Sequence, residues 1–231
     1  MFSRNDNGTI EIKLTLPWAD LQAQFEKEVL ETVAATELPG FRKGKAPRDM
    51  VEPKLNKDEL YSHSVQHLLP DLYTKALKEH EVKPILYPQI KIDSAEPNKD
   101  WTFTATTCEA PKVTLEKYQD LVKKVTAEPK DTRLGRIIEA LRTEAKVTIP
   151  DMLVEEEANH RLASLAENLT QIGLTTKAYL ESKHLTPEDL KSQLAGAART
   201  DLTTEFILEH IQTSEKLADR QKTLDFLLSM V

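Results

Sequence analysis

Cysteine is almost missing from this sequence: Cys108 stands alone, so no intramolecular disulfide can staple the fold, and a reducing compartment is the expectation. Aromatic residues make up only 6% of the 231 positions, which argues against one large globular core, because Phe, Tyr and Trp supply much of the buried area per residue. With 6 glycines in all, there is little material for the tight turns of a β-rich domain. No apolar run approaches the ~18 residues that cross a bilayer, and the stretch from Met1 to Ile12 has no apolar segment behind a basic start. A cytoplasmic protein without membrane contact is therefore expected. Positive charge is also in deficit: 31 Lys and Arg against 38 Asp and Glu leave a formal charge of -7, which argues against a protein that coats nucleic acid.

Recognisable catalytic constellations are missing too. Ser62 and Ser64 flank His63, but no nucleophile elbow or oxyanion glycine accompanies them. Gly40 to Gly44 is too short for a phosphate-cradling loop and lacks the Lys-Ser/Thr ending. Glu155, Glu156 and Glu157 are consecutive, so on a helix they point in different directions and read as a solvated face. His63 and His67 share a helix face with Glu59, yet structural zinc wants four ligands and Cys108 lies far along the chain. No catalytic residue, metal site or cofactor is nominated.

What is present begins with alternation. Ile10, Ile12, Leu14 and Leu16 alternate with polar residues as in a half-buried strand, which Pro17 closes. From Trp18 the period changes, and Leu21, Phe25, Val29 and Val33 mark one face of a helix that Leu38-Pro39-Gly40 ends. Pro47 opens a short second helix. Leu60 to Leu77 is again helical, and Pro70 inside it predicts either a kink or two abutting helices. Ile85, Tyr87, Ile90 and Ile92 read as strand, Trp101, Phe103 and Ala105 as another, with Asp93 to Asp100 connecting them.

Beyond Ala110-Pro111 the pattern turns helical. Leu121, Val122 and Val125 suggest a short strand or extended linker stopped by Glu128-Pro129, and Asp131 is placed to cap a helix bearing Leu134, Ile137, Ile138 and Leu141. A long helix follows Val147 to Asp151 and ends beside Gly173; a short one covers Thr176 to His184. Thr186-Pro187-Glu188-Asp189 signals a further start, and Ser214 is the expected cap of the last helix, which runs to Val231. The fold class is α+β: a small antiparallel sheet packed on helices over residues 1–112, a linker with one helix over 113–150, and an elongated all-α domain over 151–231.

Against this acidic background, Gly40-Phe41-Arg42-Lys43-Gly44-Lys45, followed by Pro47 and Arg48, forms a cationic loop between two helices. Exposed guanidinium and ammonium groups suit phosphates or carboxylates, and a charged loop gains little from Phe41 unless the ring tucks inward or meets a partner.

The string from Gly40 to Lys45 and the surrounding order of strand, helix, basic loop, helix and hairpin resemble the ribosome-binding region of the bacterial trigger factor family. Val147-Thr148-Ile149-Pro150-Asp151-Met152-Leu153-Val154-Glu155-Glu156-Glu157 is similar to the segment that introduces that family's helical body. The resemblance implies a chaperone, independent of ATP, that docks near the ribosomal tunnel exit and shields nascent or unfolded polypeptides. It also implies ribosome-binding roles for Gly40, Phe41, Arg42, Lys43, Gly44, Lys45 and Arg48; client-binding residues stay unassigned. The family's peptidyl-prolyl isomerase module has no counterpart here, since 129 to 150 holds only one helix and a short crossing, so no isomerase activity is expected. A homodimer that hides apolar helix faces is compatible with the pattern, and the competing reading is a non-ribosomal adaptor for one folded partner.

Overall fold

The computed structural model describes residues 2–5, 7–125 and 130–230, with 130 and 131 described by backbone alone. The chain divides into two compact units, Met1–Arg4 with Ile10–Thr107, and Asn5–Thr9 with Cys108–Val231.

The first unit holds a four-stranded antiparallel sheet in the order β1 (Phe2–Arg4), β2 (Thr9–Leu16), β4 (Trp101–Cys108), β3 (Gln89–Ser94). The period-2 pattern holds on β2, where Ile10, Ile12, Leu14 and Leu16 are buried and the residues between them exposed. They pack with Phe103 and Ala105 of β4, with Leu21 of α1 (Trp18–Ala35), and with Leu68, Leu69, Leu72 and Leu77 of α3 (Lys57–Glu79). Full burial of such a side chain contributes roughly 1.5–3 kcal/mol. The scarce aromatics are concentrated here: Tyr61 stacks on Phe25 at 4.3 Å and lies 5.6 and 6.0 Å from Trp101 and Trp18. Between α1 and α3 come α2 (Arg48–Val51) and one 3-10 turn (Glu52–Lys54).

Pro70 does not divide α3, which is one helix of 23 residues, because Leu68, Leu69 and Leu72 on either side of it seat in the same core. Strand β1 carried no sequence signal, being three residues long. Ile85 and Tyr87 precede β3 and lie outside any strand.

The second unit is helical: α4 (Tyr118–Lys124), α5 (Lys130–Glu144), α6 (Asp151–Gln171), α7 (Thr176–Lys183), α8 (Pro187–Ser214) and α9 (Arg220–Ser229). Among the described residues the stretch 113–150 thus holds two helices where one was expected. The stretch Leu121–Val125, expected as a short strand or extended linker, lies mostly in α4, since Tyr118 and Val122, one helical turn apart, both enter a core with Ile137, Leu141, Ile207, Leu208, Ile211, Leu224 and Leu227. A second cluster joins Ile149, Val154 and Ala198, with Leu202 and Phe206 packed on it. Arg161 ties α6 to α8 through Glu157 at 2.7 Å and Asp201 at 2.9 Å.

Helix ends follow the chain's own chemistry. Gly173, at φ +75°, terminates α6 as expected, with the Leu174 amide donating to the Leu169 carbonyl at 2.9 Å. Thr186 and Asp189 form a full capping box on α8. Ser214 is the last residue of α8 and caps nothing; the chain reverses at Lys216, φ 53°, and Asp219 caps α9 by accepting from the Lys222 amide at 2.8 Å. Helix α5 begins at Lys130, before Asp131, whose side chain, like Glu128-Pro129 and Val231, lies outside the described residues.

Candidate docking loop

The loop from Thr36 to Pro47 is built from two tandem four-residue turns. In the first, the Phe41 amide donates to the Leu38 carbonyl at 3.0 Å, with Pro39 second and Gly40, at φ +89°, third. In the second, the Lys45 amide donates to the Arg42 carbonyl at 2.9 Å, and Gly44, at φ +69°, is again third. A positive φ at the third position favours glycine, so the four-residue spacing of Gly40 and Gly44 is the spacing of two consecutive turns.

The base of the loop is tightly held. The Gly44 amide donates to the Thr36 carbonyl at 3.0 Å, and a Cβ at Gly44 would stand 2.4 Å from the Ala34 carbonyl oxygen on α1. Ala46 and Val51 beyond it are buried. The tip is open by contrast: Gly40 has nothing within 4 Å of its would-be Cβ, Phe41 is 38% exposed, and Arg42, Lys43 and Lys45 are exposed. None of these three cations has an ionic partner among the described residues.

Arg48 is placed differently. Its Nε donates to Glu52 Oε2 at 2.6 Å and its Nη2 to Glu26 Oε2 at 2.8 Å, joining α2 to the 3-10 turn and to α1. Hydrogen bonding to Glu52 foremost, and to Glu26, raises the pKa of Arg48, while Arg48 lowers that of Glu52. The structure therefore gathers Gly40 to Lys45 on one loop and leaves Arg48 neutralised beneath it.

Two apolar residues near this loop in sequence escaped the periodicity reading. Leu30 on α1 is 55% exposed and Met50 on α2 is 54% exposed. Leu30 falls outside the Leu21, Phe25, Val29, Val33 face, and that offset was the available signal. Three of the other residues weighed for chemistry have contacts within their own unit. Ser62 and Ser64 donate to the Asp58 and Leu60 carbonyls of their own helix at 2.9 and 2.8 Å, and His67 Nε2 lies 3.5 Å from Glu28 Oε1. Among the described residues no three metal-ligating side chains come together, and no helix is long and apolar enough to cross a membrane.

Comparison with known proteins follows the same division. The family model of the bacterial trigger factor protein matches residues 2–141, and that of the bacterial trigger factor protein C-terminus matches residues 115–225. The chain is 35% identical over 130 residues to the trigger factor of Macrococcus caseolyticus, covering 56% of this chain and 30% of that protein. It is 34% identical over 116 residues to that of Natranaerobius thermophilus, covering 50% and 26%. With the trigger factor of Staphylococcus aureus it shares 32% over 129 residues, covering 55% and 30%. The matched stretch thus spans less than a third of each relative. A solved structure of the trigger factor chaperone, described by promiscuous substrate recognition in folding and assembly activities, superposes with a TM-score of 0.64 over 99% of both chains. At 12% identity that likeness is one of fold.

Proposed function

This chain belongs to the bacterial trigger factor family, its N-terminal and C-terminal matches overlapping with no isomerase module between them, and on that premise we propose that it is an ATP-independent chaperone docking on the ribosome. The docking element is the loop from Gly40 to Lys45, beside the tunnel exit in the cytoplasm, and the cargo is nascent or unfolded polypeptide.

The observation that carries this reading is the division of charge at the loop. Arg48 is consumed by Glu26 and Glu52, whereas Arg42, Lys43 and Lys45 stand exposed at the tip beside a partly exposed Phe41. Free cations on a protein of formal charge -7 attract an anionic surface locally while the rest of the molecule is repelled by it, which favours one orientation of approach. Phe41 then supplies an apolar anchor that loses its remaining water on contact.

Shielding of unfolded chain calls for weak apolar contacts that release their cargo. The helical unit offers fewer than its sequence suggested, because its main apolar faces close on one another in two clusters. Ile172 and Leu174, 69% and 45% exposed after α6, remain available there, and Leu30, Met50 and the β3 isoleucines are available on the first unit.

The test compares ribosome co-sedimentation of the parent and the Phe41→Ala/Arg42→Ala/Lys43→Ala variant at matched salt, with suppression of client aggregation measured in parallel. Docking should fall at least about ten-fold, with a shallower salt dependence by about one unit of slope per phosphate-facing cation removed, while holding persists. Equal sedimentation of the two proteins would overturn the docking role.

A further inference from the structure

Helices α5 and α8 share the main core of the helical unit, where Ile137 and Leu141 of α5 meet Ile207, Leu208 and Ile211 of α8. Along that seam lies an open cleft of about 450 Å³, walled by Glu139, Arg142 and Thr143 of α5 and by Arg199, Thr200 and Thr203 of α8. Its three hydroxyls are already spent, since Thr143, Thr200 and Thr203 donate to the Glu139, Gly196 and Arg199 carbonyls at 2.9, 3.0 and 2.7 Å. Its two guanidinium groups keep donors to spare. Arg142 is partly buried, with Ile138, Thr204 and Ile207 beside it, and has no ionic or hydrogen-bonding side-chain partner among the described residues. Arg199 is held in place, its Nη2 donating to Asp151 Oδ1 at 2.6 Å and its Nη1 to the Ile149 carbonyl at 3.3 Å, while its Nε is unpaired among the described residues. One carboxylate, Glu139, stands exposed in the same wall and has no ionic partner among the described residues.

We propose that this cleft binds a compact phosphate, inorganic phosphate or a phosphate monoester, which bridges Arg142 on α5 to Arg199 on α8 and donates its remaining proton to Glu139. Two like charges that line one cleft, one of them partly buried without a counter-ion, are stabilised by an anion between them. Guanidinium suits carboxylate and phosphate alike. Geometry decides between the two: a carboxylate presents two coplanar oxygens to one fork, whereas a tetrahedral phosphate presents separate oxygens to forks on two helices. Glu139 selects further. An ionised carboxylate only accepts hydrogen bonds, so it repels an oxyanion that has no proton and accepts from a phosphate O–H. Sulfate and the phosphodiesters of RNA have no such proton at neutral pH and are disfavoured. None of the lining residues is aromatic, so a nucleotide base has nothing to stack on. The bound anion ties α5 to α8, and a ligand of the folded state stabilises it by mass action. This site stands independently of the Gly40 to Lys45 loop and of ribosome docking.

Calorimetric titration of the full chain at constant ionic strength tests it, with inorganic phosphate, glycerol phosphate, sulfate and a single-stranded RNA oligonucleotide as separate titrants. The parent should bind inorganic phosphate or glycerol phosphate at one site per chain, the tighter of the two identifying the source, and sulfate about ten-fold more weakly. Arg142→Gln should weaken phosphate binding about ten-fold or more. Lys191→Gln, which removes an exposed cation elsewhere on α8, should leave it unchanged. Glu139 is exposed, so Glu139→Gln keeps the test open should Arg142→Gln fold poorly, and it should erase the preference for phosphate over sulfate. The far-UV thermal midpoint should rise in phosphate over chloride for the parent and stay level for Arg142→Gln. No phosphate binding by the parent, sulfate bound as tightly as phosphate, RNA bound through Arg142, or equal losses in Arg142→Gln and Lys191→Gln would overturn the proposal.

Discussion

Replacing Gly44 by alanine should harm this protein far more than replacing Gly40, although both glycines stand in the same loop at positive φ, +69° and +89°. A left-handed alanine costs roughly 1–2 kcal/mol, partly offset by about 0.4–1 kcal/mol from the narrower unfolded ensemble. At Gly40 nothing lies within 4 Å of the new Cβ, so Gly40→Ala should destabilise by the remainder, about 0.5–1 kcal/mol. At Gly44 the Cβ would sit 2.4 Å from the Ala34 oxygen and 3.2 Å from the Ala34 carbonyl carbon, backbone atoms of α1 that cannot swing aside. The base of the loop must open, losing the 3.0 Å bond from the Gly44 amide to Thr36. That bond is worth about 1 kcal/mol, and the total for Gly44→Ala comes to about 1.5–2 kcal/mol.

Both tryptophans, Trp18 and Trp101, belong to the first unit and flank Tyr61, so intrinsic fluorescence reports this unit during urea unfolding. Gly44→Ala should lower its stability by about 1 kcal/mol more than Gly40→Ala, with an unchanged urea slope. In heat the same gap is a difference of roughly 4–8 °C between the two midpoints. Equal midpoints would refute the close approach of Gly44 to Ala34, and with it the account of a loop fastened at its base.

Arg48→Ala should lower the urea midpoint at neutral pH, with a pH dependence set by Glu52. Arg48 lowers the Glu52 pKa, so this contribution is complete above the ordinary glutamate value of about 4.3 and is lost as pH falls through the lower folded value. The gap between parent and variant should narrow in acid, and a gap constant from pH 7 into acid would contradict the pairing. Tyr118→Phe removes a phenol that donates to Glu215 Oε1 at 2.5 Å, which should cost about 1 kcal/mol at neutral pH. Burial first, then Glu215, raises the Tyr118 pKa, so its contribution is complete below the unfolded value of about 10 and is lost as pH rises further. Alkaline urea titration should show the parent losing more stability than the phenylalanine variant; parallel curves would count against the contact.

The first unit was readable because its apolar periods are clean. Ile10 to Leu16 alternate and are buried, and Leu21, Phe25 and Val29 recur every four residues and are buried. Reading failed where a period was too short to declare itself. Leu121, Val122 and Val125 alone suit a strand, and only Tyr118 one turn before Val122 reveals the helical face that meets Ile137 and Ile211. Ser214 looked like a cap because serine often is one, but Ile207, Leu208 and Ile211 in the core carry α8 on to it, and Asp219 takes the next start. Pro70 read as a kink or a junction of two helices, and the junction is excluded because packing on both sides of it outweighs one missing hydrogen bond.

The loop shows a subtler limit of sequence. Arg42 and Arg48 are the same side chain six positions apart, and composition treats them alike. Their fates diverge because Glu52 lies one helical turn beyond Arg48 and Glu26 is brought beside it by the fold, across 22 positions that no local pattern connects. The difference matters for the proposed docking. A cation already held by two carboxylates gives up those bonds to meet a new anion, whereas Arg42, Lys43 and Lys45 give up only water and side-chain freedom. Anchoring the backbone beneath them through Gly44 and Arg48 reduces the ordering that binding must still impose. A fastened base under unpaired charges is therefore the physical reason why the proposed docking gives recognition to the tip and its positioning to Gly44 and Arg48.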